Sequence, residues 1–129
     1  MIHTLTDAPI IDSAPASQAP PAPPGLVASY YIGPDGGQSN VAPVIRWMGY
    51  TYWVYGTRVN DWTLHLIAYD EAGTPVKRID KGDPQRMTGA RYLWRITVEP
   101  EPQTVTLYGQ AWKTIVCTWD ELAVPSPAR

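Results

Sequence analysis

Few residues of this sequence have the types and spacing that catalysis requires. Of its two histidines, His3 lies near the N-terminus and His65 lies between two leucines in a predicted strand, where a histidine is usually structural. A hydrolase that uses two carboxylates needs them to face each other across a cleft, whereas turn carboxylates are normally solvated. The acidic groups fall mostly in predicted turns: Asp70-Glu71, Asp80 with Asp83, Glu99 with Glu101, and Asp120-Glu121. We therefore expect no enzymatic activity, and a small carboxylate-dependent hydrolase is the less favoured alternative.

The same residues predict neither a metal nor a cofactor. The segment 80–83, Asp-Lys-Gly-Asp, is too short and too basic for a calcium loop. The glycine-rich segment 33–37 lacks the lysine and the following helix of a phosphate-binding loop. Cys117 aligns with Ile115 and Trp119 in a predicted strand, which is typical of a small buried side chain.

Aromatic side chains are the most distinctive feature. The sequence has six Trp, eight Tyr and no Phe, so every ring carries a polar group that needs a partner. The rings are densest in residues 46–55, where alternation places Tyr50 and Tyr52 opposite Trp53 and Tyr55. Because both faces cannot belong to one core, we expect some of these rings to be exposed in a ligand site or an interface, where Tyr and Trp are enriched.

These patterns select the candidate binding residues. Trp112 lies in a predicted turn over residues 110–113, where a large ring is hard to bury. Exposed Tyr and Trp rings provide contact area at low conformational cost, and Arg side chains supply polar contacts. The candidate ligand or interface residues are Tyr50, Tyr52, Tyr55, Trp62, Trp112, Arg91 and Arg95.

A basic segment suggests an alternative binding function. Residues 77–95 contain six of the ten basic residues of the chain against two acidic ones. With Tyr92 and Trp94 in the same segment, this positive charge can recognise a phosphate or a lipid headgroup. The chain outside residues 1–25 is neutral as a whole, because its ten acidic residues balance the ten basic ones and the net charge of −2 comes from Asp7 and Asp12. A neutral domain argues against sequence-independent nucleic-acid binding.

The elements that position these residues are predicted to be β-strands. From Leu26 onward, runs of Val, Ile, Thr, Tyr and Trp are separated by Gly, Pro, Asp and Asn at intervals of roughly 8–12 residues, typical of a small antiparallel sandwich or barrel. About eight strands are expected, over residues 26–32, 41–47, 51–57, 62–69, 75–79, 91–98, 104–108 and 114–119. Asp70 and Gly73 predict a turn between the fourth and fifth strands. In the strand 91–98, alternation places Tyr92 and Trp94 on the core face with the two apolar residues that follow.

The two ends of the chain differ from this central domain. Residues 1–25 contain six of the fourteen prolines, with Ala and Ser and no Lys or Arg, and predict a flexible arm or linker. Residues 26–124 form the predicted all-β domain, and residues 125–129 a short C-terminal tail. The first 45 residues contain no Lys or Arg and no continuous apolar run, so neither a signal peptide nor a transmembrane segment is expected. A soluble protein, cytoplasmic by default, is the expectation.

Part of the sequence resembles a known group of proteins. The residues that carry the resemblance lie in segments 44–53, 67–77, 89–98, 104–110 and 118–122. They are similar to small microbial all-β proteins, and the closest named fold is the β-flower, a shallow barrel with radiating hairpins reminiscent of tubby-like domains. The resemblance covers residues 44–122 and implies a fold type but no activity. Tubby-like relatives imply lipid-headgroup binding, for which this sequence has no strong polybasic signature.

The sequence therefore predicts a non-enzymatic binding or assembly module that presents Tyr and Trp side chains to a partner, a glycan or another copy of itself. A protein partner or self-assembly is favoured, and a glycan or a lipid headgroup is the alternative ligand. Lipid or phospho-ligand binding through residues 77–95 is the alternative function.

Overall fold

The computed structural model of the protein describes residues 8–31, 39–57, 63–82, 92–109 and 114–124. These residues form an all-β domain of two sheets, which confirms the predicted fold class. In chain order the strands are β1 (Ile10–Pro15), β2 (Leu26–Ala28), β3 (Tyr30–Tyr31), β4 (Val41–Trp47), β5 (Tyr50–Thr57), β6 (Thr63–Tyr69), β7 (Pro75–Gly82), β8 (Tyr92–Glu99), β9 (Thr104–Gly109) and β10 (Ile115–Thr118). A short helix, α1 (Trp119–Leu122), follows β10 directly.

The larger sheet has six strands in the order β1-β4-β5-β6-β7, and β2 also pairs with β5. All of these pairings are antiparallel. The turn between β4 and β5 consists of Met48 (φ 54°) and Gly49 (φ 84°), and positive φ at both positions matches the right-handed twist of paired strands. The predicted turn after β6 is confirmed, because the Asp70 carboxylate accepts two backbone N–H bonds at 2.9 Å and Gly73 has a φ of 82°.

The smaller sheet has four strands in the order β10-β9-β8-β3. Strands β8, β9 and β10 pair antiparallel, and β3 lies parallel to β8. The chain passes from the larger sheet to the smaller one at the buried Ser29, whose N–H donates to the Val54 carbonyl at 2.8 Å. Within the described ranges no strand pairing closes the two sheets into a barrel, so the sandwich alternative of the prediction fits better.

The main core lies between the two sheets. Alternate residues of the central strands of each sheet point into this layer, and α1 closes one end of it. The rings of Trp47 and Trp119 pack there with centroids 5.7 Å apart. The buried residues of the main core are Ile45, Trp47, Tyr52, Val54, Leu64, Leu66, Ala68, Ile79, Leu93, Ile96, Val105, Leu107, Ile115, Cys117, Trp119 and Leu122.

A second hydrophobic cluster covers the outer face of the larger sheet, which points away from the smaller sheet. Ala16 and Ala19 pack against this cluster, so the proline segment, defined as residues 16–25, lies over the aromatic rings of β5 and β6. The buried residues of the second cluster are Ala14, Leu26, Ala42, Val44, Trp53, Tyr55, Ile67 and Tyr69.

This cluster corrects the prediction of a flexible arm over residues 1–25. Residues 10–15 form β1, which pairs with β4 along all six of its residues, and Ala14 is buried. The proline segment ends in a turn in which the Leu26 N–H donates to the Pro23 carbonyl at 3.1 Å. The composition suggested disorder because the segment has little apolar surface of its own, but the aromatic face of the sheet supplies the missing burial. Residues 1–7 and the predicted tail 125–129 lie outside the described residues.

Candidate binding surface

Two of the predicted site residues, Tyr52 and Tyr55, are fully buried, so the expectation that they are exposed is wrong. Alternation along β5 is as predicted, since Tyr52 faces the main core and Tyr55 faces the second cluster. Both faces are nevertheless covered, one by the smaller sheet and the other by the proline segment. Two separate hydrophobic layers replace the single core that the sequence argument assumed. Tyr50 is half-buried and packs against the main core.

The hydroxyl groups of the two buried tyrosines have structural partners. Tyr52 donates to the Leu122 carbonyl at 2.7 Å, and burial raises the pKa of Tyr52 to about 12. The Tyr55 hydroxyl lies 3.2 Å from the Pro20 carbonyl and 3.0 Å from the Tyr69 hydroxyl. Because a carbonyl can only accept, Tyr55 donates to Pro20 and accepts from Tyr69. Burial first, and then the bond to Tyr69, raise the pKa of Tyr55.

Of the remaining predicted residues, some lie within the described ranges and others lie outside them. Trp62, Trp112 and Arg91 lie outside the described residues. Arg95 lies in β8 and is exposed. It is therefore the exposed residue of the predicted site that lies within the described ranges.

A β-bulge in β8 sets the direction of Arg95 and of its neighbour Trp94. The register between β8 and β9 shifts between Leu93, which is opposite Gly109, and Arg95, which is opposite Tyr108. One extra residue in β8 breaks the strict alternation of faces. As a result, Leu93 points into the main core while Trp94 and Arg95 are both exposed. The prediction that Trp94 lies on the core face is therefore wrong.

Trp94, Arg95 and Tyr108 form a cluster that we call the aromatic patch. The Trp94 ring is tilted by 53° against the Tyr108 ring, with centroids 5.8 Å apart. The Arg95 guanidinium carbon lies 4.8 Å from the centroid of the Trp94 ring and 4.3 Å from that of Tyr108, which is within the range of cation–π contacts. The Trp94 indole N–H donates to the Gly109 carbonyl at 3.1 Å. These contacts hold the patch in place, although Trp94 remains 47% exposed.

The patch lies on the outer face of the smaller sheet, which points away from the main core. On this face the register places Arg95 beside Tyr108, Thr97 beside Thr106, and Glu99 beside Thr104. Val116 of β10 lies opposite Thr106 and is 48% exposed. The outer face thus carries aromatic rings and a cation at one end, threonines in the middle and a carboxylate at the other end.

The carboxylate of Glu99 accepts three threonine hydroxyl bonds. Thr97 donates to Oε2, while Thr104 and Thr106 donate to Oε1 at 3.1 and 2.9 Å. Partial burial by itself raises the pKa of Glu99, but the three hydrogen bonds outweigh burial, and the net pKa is lowered from its ordinary value of 4.5. Glu99 is therefore a negative charge at neutral pH.

The cations of the predicted basic segment differ in whether they have hydrogen-bond or ion-pair partners. Among the described residues, the Arg95 side chain has no hydrogen-bond or ion-pair partner beyond its two aromatic neighbours. Three cations of β7 have partners: Lys77 donates to the Ala123 carbonyl at 2.8 Å, Arg78 pairs with Asp80 at 3.0 Å, and Lys81 pairs with Glu121 at 2.6 Å. These cations therefore do not form one free basic surface together with Arg95.

Two cavities lined by described residues each lack a pair of carboxylates. An open cavity of about 170 Å³ at one end of the sandwich contains Asp120 as its single carboxylate, and another of about 440 Å³ beside the proline segment contains none. The described part of the chain also lacks a group of three His, Cys, Asp or Glu side chains that could hold a metal ion. Across the same residues, no helix is long and apolar enough to cross a membrane.

Sequence reasoning did not select Tyr108 as a candidate residue, and it named Trp94 only together with the basic segment 77–95. The bulge reverses the side-chain direction of Trp94 relative to strict alternation, and no residue pattern in β8 indicates the bulge. Tyr108 alternates with Leu107 and could have been placed on the outer face by its position alone. A second available signal was the adjacency of Trp94 and Arg95, which is compatible with a cation lying on a ring.

Comparison with known proteins adds no relative to this description. Neither a family model, nor a curated protein, nor a solved structure matches the chain. The similarity to the β-flower proteins therefore stays a prediction.

Proposed function

We propose that this protein is a non-enzymatic binding module that contacts another protein through the aromatic patch of Trp94, Arg95 and Tyr108. The observation that carries the proposal is Trp94, a tryptophan that is 47% exposed and yet fixed by an indole hydrogen bond and two aromatic-patch neighbours. Trp, Tyr and Arg are the residue types that contribute most to binding at protein interfaces.

The fixed geometry of the patch supports binding. A ring that is already held loses little conformational entropy when a partner covers it, so more of the contact energy remains for affinity. The Arg95 guanidinium can offer hydrogen bonds to a partner without breaking an ion pair to a described residue. The exposed Val116 and the partly exposed Thr97 and Thr104 extend the same face and give the patch a mixed apolar and polar border, as in many protein interfaces.

The alternatives receive less support from the described residues. A phospho-ligand or lipid-headgroup site in residues 77–95 would need free cations on one surface, but Arg78 and Lys81 are paired with carboxylates. A carboxylate-dependent hydrolase would need a pair of acids with one raised pKa. Instead, the pKa values of Asp80, Glu99 and Glu121 are lowered.

The proposal is tested by solution mass. Light scattering of the full chain over a range of concentrations is expected to give a mass above that of the monomer, because the patch is available to a neighbouring molecule. The double substitution Trp94→Ala with Tyr108→Ala should reduce the mass to that of the monomer. Met48→Ala, which removes another exposed apolar side chain in the turn between β4 and β5 of the larger sheet, should leave the mass unchanged.

A different ligand class would give a different result. A full chain that is monomeric at all concentrations, but whose tryptophan fluorescence responds to soluble glycans and loses this response in Trp94→Ala, would contradict the protein-binding proposal. It would assign the patch to a sugar instead, since aromatic rings also stack on sugar faces.

A further inference from the structure

We infer that the partner of this surface is a second copy of the same chain, bound through a two-fold axis that places Arg95 of each copy opposite Glu99 of the other. This inference rests on the proposed function and adds the identity of the partner and the register of the contact. The observation behind it is the self-complementary charge of the outer face of the smaller sheet.

The positions of the two charges satisfy the requirement of a symmetric interface. Arg95 and Glu99 lie in the same strand, two residues on either side of Thr97, and Thr97 pairs with Thr106. At about 3.3 Å per residue the two charges are separated by roughly 13 Å along the strand. Consider a two-fold axis that lies between two stacked copies, runs perpendicular to β8 and passes over Thr97. Rotation about this axis places Arg95 of one copy opposite Glu99 of the other. In a two-fold interface of this kind both copies contribute the same surface patch.

Glu99 can accept a further hydrogen bond in this arrangement. A carboxylate has about four acceptor positions, and three are filled by Thr97, Thr104 and Thr106. The open position is on Oε2, which accepts from Thr97 alone among the described residues. The existing bonds also hold the carboxylate in one orientation, and a fixed, ionised acceptor forms a stronger bond to an arginine than a mobile one.

Arg95 supplies the matching donors. Its five N–H groups form no hydrogen bond to a described residue, and its guanidinium is held by the rings of Trp94 and Tyr108. Stacked sheets are about 10 Å apart, a distance that an arginine and a glutamate side chain can span together. In the dimer, the aromatic rings of each copy would then lie around the ion pair and exclude water from it.

No other charged residue of the described outer face competes with this pairing. The described residues that alternate onto the face in β9 and β10 are Thr104, Thr106, Tyr108, Val116 and Thr118. A partner with a single sign of charge would match one end of the face and be repelled by the other. A second copy matches both ends.

Charge exchange between two variants tests this register. In Arg95→Glu and in Glu99→Arg, like charges face each other twice in a homodimer, so each variant alone should be monomeric by sedimentation equilibrium. Mixed in equal amounts, each variant offers the charge that the other now needs, and the mass should return to that of the dimer. Glu101→Arg makes the same charge change in the adjacent exposed turn and should remain dimeric by itself.

The outcomes separate the inference from the proposed function. A mixture that stays monomeric, while both variants keep a cooperative thermal transition, would overturn the Arg95–Glu99 register. If Trp94→Ala with Tyr108→Ala still abolishes a wild-type dimer, the proposed function survives with another geometry. A wild-type chain that is monomeric throughout would overturn the inference that the partner is a second copy of the chain.

A milder pair of variants covers the case in which Glu99→Arg disturbs folding through its threonine neighbours. Arg95→Gln and Glu99→Gln each remove both ion pairs of the dimer, and each should raise the dimer dissociation constant by about tenfold or more, by the size of coupling measured for close interface charges. The dissociation constant of the double variant should be no higher than that of the weaker-binding single variant, because either single substitution already removes both Arg95–Glu99 ion pairs. Effects that simply multiply would show that the two side chains do not meet.

Discussion

Removal of one buried hydroxyl, by Tyr52→Phe, tests the assignment of this residue to the core instead of to a binding site. Tyr52 is completely buried, and its hydroxyl donates to the Leu122 carbonyl in α1 at 2.7 Å. The substitution keeps the ring and its packing but removes the hydrogen bond. It leaves a buried carbonyl without this donor at the end of the helix.

The expected loss of stability follows from that contact. Loss of one partner in a buried hydrogen bond costs about 1–3 kcal/mol, and for a domain of this length about 2 kcal/mol lowers the melting temperature by roughly 6–10 °C. The pKa of Tyr52 is raised to about 12 by burial, so the tyrosine is neutral at the pH of the experiment and no charge effect is added.

Thermal unfolding followed by circular dichroism measures the effect. Tyr50→Phe is the matched control, because Tyr50 is the neighbouring aromatic residue on the same face and is half-buried without a hydroxyl bond to a described residue. It should change the melting temperature by less than about 2 °C, as surface substitutions usually do. Equal melting temperatures for the two variants would refute the buried hydrogen bond and return Tyr52 to the list of candidate ligand residues.

Three further predictions concern other parts of the fold. Ala14→Asp places a charge in the second cluster and should lower the free energy of unfolding, measured by thermal unfolding, by about 3 kcal/mol or more. Ser13→Asp at the exposed neighbouring position should have little effect. Equal, small effects of the two substitutions would mean that the arm over residues 1–25 is flexible. Glu99→Gln should lower the free energy of unfolding by about 1 kcal/mol at pH 7. Because the pKa of Glu99 in the folded protein is lowered from 4.5, the stabilisation by its carboxylate is complete above pH 4.5 and is lost as the pH falls through the folded pKa. The difference in unfolding free energy between wild type and variant, measured by urea titration, should therefore shrink at pH 3. Burial raises the pKa of the Cys117 thiol to about 11, so a thiol reagent should label it only after denaturant is added, and rapid labelling of the native protein would contradict its place in the core.

Local signals in the sequence were sufficient for most of the central strands. Val, Ile, Thr and aromatic runs predicted residues 41–47 with the bounds that β4 has, and Asp70 with Gly73 predicted the turn that joins β6 and β7. The end of the last strand was displaced, because Thr118 and Glu121 form a reciprocal capping box that starts α1 at Trp119. These features depend on neighbours within a few residues, which is the range that a sequence pattern can represent.

The features that sequence reasoning missed depend on distant contacts. β1 and the proline segment are ordered by the aromatic face of the larger sheet, and this face is assembled from strands more than 25 residues further along the chain. The same contact buries Tyr55, since the proline segment covers this face and the Pro20 carbonyl accepts a hydrogen bond from the Tyr55 hydroxyl. For the candidate surface, Arg95 was selected correctly as exposed, but Trp94 was not, because a bulge is set by the pairing of two strands and not by the residues of one.

The most direct test of the central claim is hydroxyl-radical footprinting of the full chain at low and at high concentration, read by mass spectrometry. This method measures the accessibility of individual side chains, and Trp94 at 47% exposure and Met48 at 54% should both react readily in the monomer. If the aromatic patch is the contact surface, modification of Trp94 and Tyr108 should fall at high concentration while that of Met48 stays constant. Unchanged modification of Trp94 in a sample that light scattering shows to be dimeric would contradict the account, because the interface would then lie elsewhere.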